Sequence, residues 1–109
     1  MNVLLLFVNR PTALAVRATV ESIFPRQATV TIPNSLVDLD AVMGLGTMRL
    51  CISDEANSGL AQWVPSLKLI IMDEFFTPHI PECMYVDNLF GLRQALSGIK
   101  IEAGRCLES

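Results

Sequence analysis

Five strand-like apolar runs alternate with amphipathic stretches along this chain. Three of them stop at an aspartate: Cys51-Ile52-Ser53-Asp54, Ile70-Ile71-Met72-Asp73 and Tyr85-Val86-Asp87. Strand and helix in alternation imply a parallel sheet, and open parallel sheets bind ligands at the carboxyl ends of their strands. The expectation is therefore an α/β domain whose working edge carries acids. With 109 residues, the chain has room for one domain, residues 1–109, burying roughly two-thirds of the surface its unfolded form exposes.

Along the chain, Asn2 to Val8 is a continuous run of Val, Leu and Phe, as for a central strand covered on both faces. A first helix is expected from Thr12, with Leu14, Ala15, Ala18, Ile23 and Phe24 inward, Arg17 and Glu21 outward, and Pro25 as its end. Ala28 to Ile32 alternates Thr with Val and Ile, which suits a strand at or near a sheet edge. Asn34 or Ser35 caps a short second helix that leaves at Gly44 and Gly46.

The third strand runs from Met48 to Ser53 and ends at Asp54; a brief helix follows over Gly59 to Trp63, stopped by Pro65. Leu67 to Met72 forms the fourth strand and Cys83 to Val86 the fifth. Asn88 then caps a last helix through Leu89, Leu92, Leu96 and Ile99, which Gly98 weakens. Residues 99 to 109 read either as the close of that helix or as the start of a linker in a longer regulator.

The charge pattern excludes several classes. Eight basic residues against eleven acidic ones, scattered singly, give a net charge of −3. Direct nucleic-acid binding requires clustered Lys and Arg, so it is not expected. No run approaches the roughly 20 apolar residues that span a bilayer, and the opening segment lacks the features of a secretory leader, so no membrane association and a cytoplasmic location are expected. The mean hydropathy of +0.45, with only 17% charged residues, means that much apolar surface is buried in the core or against a partner.

Cys51, Cys83 and Cys106 are widely spaced and read as reduced, buried thiols. His79 is the single histidine, so no zinc site is expected. No Gly-x-Gly-x-x-Gly follows a strand and no serine sits in a nucleophile elbow; neither a cofactor nor a catalytic residue is assigned.

The five-unit pattern, the length and the closing Tyr85-Val86-Asp87-Asn88-Leu89-Phe90 followed by a helix resemble a response-regulator receiver domain of the degenerate, pseudo-receiver type. That resemblance implies a flavodoxin-like three-layer sandwich, a five-stranded parallel sheet with helices on both faces. It puts Asp54 at the phospho-acceptor position. Receivers carry an acidic pair after the first strand, a Ser or Thr after the fourth and a Lys after the fifth. Here Val8-Asn9-Arg10, Asp73 and Asp87 stand at those places. Transfer of a phosphoryl group to a carboxylate needs cations to offset its oxygen charge, and the pattern lacks them.

The resemblance thus implies signalling by contact, with a protein partner or as a homodimer. A shorter likeness, through Val64-Pro65-Ser66-Leu67-Lys68-Leu69-Ile70, is to the flavodoxin-like substrate-binding half of the 2-hydroxyacid dehydrogenases.

Two functional readings follow. In the first, Phe75, Phe76 and Ile80, in an oddly apolar loop after the fourth strand, form an interaction surface; packing over the core would explain the same residues. In the second, the domain is a small-molecule or metal-binding enzyme domain, and Asp54, Asp73 and Asp87 converge at the sheet edge, where oxygen ligands hold Mg²⁺ or Ca²⁺. Acids at strand ends also serve as turn and cap residues, and no metal ligand is assigned. Arg10 stands at the end of the first strand, where it would pair with Asp54 in place of a metal; a solvated loop arginine explains it equally well.

Overall fold

The alternation of apolar residues in the first strand fixes the layers. In the computed structural model, which describes residues 2–33, 36–44, 48–73 and 83–108, strand β1 (Asn2–Leu6) turns Val3 and Leu5 to one face and Leu4 and Leu6 to the other. All four are buried. A strand apolar on both faces has to be covered twice, which is the arrangement found.

The chain continues through α1 (Arg10–Ile23), β2 (Thr29–Thr31), α2 (Leu36–Met43), β3 (Leu50–Asp54), α3 (Ser58–Ala61), β4 (Leu69–Met72), β5 (Met84–Val86) and α4 (Leu89–Glu108). The five strands form one sheet in the order β2-β1-β3-β4-β5, parallel at every pairing. This is the flavodoxin-like order. β2 lies at the edge, as its alternating Thr and Val require.

Helices α1 and α4 cover one face, closing a core of Val3, Leu5, Val16, Val20, Leu50, Ile52, Ile70, Leu92 and Leu96. On the other face Leu39 of α2 and Ala61 of α3 pack with Leu4, Leu6, Met48, Cys51 and Val64. Full burial of a leucine such as Leu92 or Leu96 contributes about 2–3 kcal/mol.

The start of α1 departs from the expectation. It begins at Arg10, not Thr12, because the Asn9 side chain accepts the Thr12 amide (3.3 Å) and Pro11 sits in the first turn. Its buried stripe is Ala13, Val16, Val20 and Ile23, while Leu14 is exposed. Spacings of three and four about β1 set that phase, and the expected stripe was displaced from it. Arg17 and Glu21 do share the outer face, paired at 2.9 Å.

At the far end the Asn88 side chain accepts the Gly91 amide (2.9 Å), the expected cap. Helix α4 then runs on to Glu108, so residues 99–108 close the helix and Lys100 lies well inside it. The Lys100 amine donates to the Ile23 carbonyl of α1 (2.8 Å). A cation there faces the negative end of the α1 dipole.

Cys51 lies fully buried under α2 and α3, and desolvation of the thiolate raises the thiol from an ordinary 9.0 to about 12. The unfolded chain ionises this thiol near its ordinary value while the folded chain keeps it protonated. Its contribution to stability is therefore complete below about pH 8.5 and is lost as pH rises toward the folded value, by about 1.4 kcal/mol per pH unit. Urea unfolding followed from about pH 8 to about pH 10 is expected to fall more steeply with pH for the wild type than for Cys51→Val. Equal slopes would contradict this burial.

Candidate functional site

The carboxyl ends of β3, β4 and β5 carry the three acids, and the strand register separates them. Asp54 is level with Met72, and Met72 with Val86. Asp73 and Asp87 therefore stand one residue beyond the level of Asp54. Since successive residues of a strand project to opposite faces, that single step turns Asp73 away from Asp54. Among the described residues, no group of three or more Asp, Glu, Cys or His side chains is placed to hold a metal ion.

Each acid has its own setting. Asp54, the last residue of β3, is half-buried. One carboxylate oxygen accepts the backbone amide of Val8 in the β1–α1 connection (2.8 Å), and the other accepts the amide of Asn57 (2.9 Å), three residues on. The second bond closes the turn that feeds α3, and the first ties that turn to the loop of the neighbouring strand. Beneath it, the buried Ser53 hydroxyl donates to the Asp54 carbonyl (2.7 Å).

Asp73 follows β4, is only 3% exposed, and donates its own amide to the Val86 carbonyl (2.9 Å), extending the β4–β5 ladder by one rung. Asp87 follows β5 and is exposed. It leans over Gly91, where a Cβ would lie 3.1 Å from its carboxylate oxygen.

Residues 8–10 take part in the local structure. Val8 supplies the amide to Asp54, and the Asn9 oxygen caps α1. Arg10 opens the helix and is exposed. The Asn9 cap was legible as an asparagine two residues before a proline, a helix-start signal.

Two surface features were not anticipated. Met84, Val86, Asp87, Gly91, Gln94 and Ala95 line much of an open groove of about 570 Å³ between β5 and the first turns of α4. Trp63, after α3, is 79% exposed and Leu67 is 67% exposed. Phe75, Phe76, His79 and Ile80 lie outside the described residues. Among the described residues no helix is long and apolar enough to cross a membrane.

Comparison with protein-family models, with curated proteins and with solved structures returns no match.

Proposed function

We propose that this chain is a regulatory or assembly module, akin to a pseudo-receiver, that acts by protein contact and without aspartyl phosphorylation or other catalysis. The observation that carries the reading is the bonding of Asp54: each carboxylate oxygen already holds a backbone amide, from Val8 and Asn57. An attacking carboxylate would use a remaining lone pair while these two bonds hold it as a tie between loops. It would also need a cation to offset phosphoryl charge.

The neighbouring residues support the same reading. The Asn9 side-chain oxygen is engaged by its own helix, and an acid, Asp87, stands where receivers place a lysine. The competing reading, a metal-binding or small-molecule enzyme domain, draws on the same three acids, and the one-residue step between Asp54 and Asp73 weighs against it.

Intact-mass spectrometry after incubation with acetyl phosphate and Mg²⁺ tests the proposal. The unmodified mass is the expected result. Gain of one phosphoryl group, lost in Asp54→Asn, would overturn it.

A further inference from the structure

The connections at the two ends of the sheet differ in charge. Among the described residues, Arg49 and Lys68 immediately precede β3 and β4, and Arg26 lies in the turn before β2. Asp54 closes β3, and Asp73 and Asp87 follow β4 and β5; with Asp73 buried, the exposed acids there are Asp87 and Glu55, and Arg10 is the exception at that end. The domain thus has a basic amino edge and an acidic carboxyl edge. The two unexplained surface features sit on opposite sides of this division.

Trp63 and Leu67 are exposed on the segment that leads through Lys68 into β4. That segment is held from both sides. The Trp63 amide donates to the Leu60 carbonyl (3.1 Å) and that of Val64 to Ala61 (3.2 Å); Met48 donates to Pro65 (2.8 Å) and accepts from Leu67 (3.0 Å). A large aromatic carried on a tied backbone and exposed to water is the kind of side chain that anchors an interface, because only its two side-chain torsions are left to freeze when it is covered.

The groove beside β5 offers the complementary shape. Its volume of about 570 Å³ lies in the range that takes up a bulky organic group. Met84, Val86 and Ala95 give it an apolar part, and Gln94 and Asp87 give it acceptors for an indole N–H and for a flanking cation.

We propose that the groove between β5 and α4 receives Trp63 of a second copy of this chain, basic edge against acidic edge, in a head-to-tail association. The knob and the groove lie on different surfaces, so the contact is heterologous and each copy keeps one free knob and one free groove. This deepens the contact reading and rests on it, by naming a second copy as the partner.

Trp63 is the only tryptophan, so its fluorescence reports the contact directly. With rising concentration the emission is expected to shift to the blue while sedimentation shows growing species, and added salt is expected to weaken both. Trp63→Ala is expected to lower the association constant about 30-fold or more, as for an interface hot spot. The double variant Asp87→Lys/Gln94→Lys is expected to do the same.

Mixing the two variants discriminates further. One keeps an intact groove and the other an intact knob, so together they are expected to form a one-to-one dimer that grows no further. A wild type whose emission and mass are independent of concentration would overturn this inference, leaving contact with a different protein standing. So would variants that stay monomeric when mixed while circular dichroism shows both folded. Phosphoryl incorporation at Asp54 would instead overturn the contact reading and leave the mixing result untouched.

Discussion

Asp54→Ala is expected to lower the unfolding free energy by about 2–3 kcal/mol, measured by urea denaturation followed by circular dichroism. Hydrogen bonds to a charged group contribute about 1.5–3 kcal/mol each, and Asp54 makes two with backbone amides. Val8 is exposed, so water replaces part of what its amide loses and the sum falls short of the full pair. Asp54→Asn is expected to lose about half as much, because a carboxamide keeps one acceptor oxygen and sets an N–H against the other amide donor.

The sign of this effect separates the readings. A carboxylate held among other acids for chemistry sets like charges against each other, and its removal usually stabilises the fold. A carboxylate that ties two loops together is missed when it is removed. A stabilised Asp54→Ala variant would mean that Asp54 serves chemistry.

Leu4→Ala and Leu5→Ala are each expected to cost about 3–4 kcal/mol, with unchanged dependence on denaturant. Both side chains are fully buried. They are neighbours in sequence, yet Leu5 packs under α1 and α4 while Leu4 packs under α2 and α3. Each truncation opens its cavity in a different layer, so the two losses should add. Against a typical domain stability of about 5–15 kcal/mol, the double variant would be largely unfolded in water. A cost below about 1 kcal/mol for Leu4→Ala would mean that the second layer is not packed.

The layers were legible because an apolar run without alternation admits few arrangements other than a doubly covered strand. The edge position of β2 followed from its threonines, and the Asn88 cap from its place before an apolar helix. The phase of α1 was harder to read, since Leu14, Ala15 and Ala18 offered an apolar stripe competing with Ala13, Val16 and Val20. The tertiary contact with β1 decided between them.

At the site, the sequence placed Asp54, Asp73 and Asp87 at strand ends but could not show that they do different things. Register decides that: one residue of offset between β3 and β4 makes Asp54 a tie between loops and buries Asp73. The exposed Trp63 was hidden for a related reason. A short apolar stretch before Pro65 reads the same whether its aromatic points inward or outward, and only the fold, which leaves Trp63 79% exposed, settles the direction.

The central claim, contact without phosphorylation, is tested most directly by sedimentation equilibrium of the full chain across concentration, with and without Mg²⁺ and acetyl phosphate. The account predicts an association state that is indifferent to both additions at every concentration, and, where the partner is a second copy, one that grows with concentration. A monomer that changes its state only when the phosphodonor is present would contradict it.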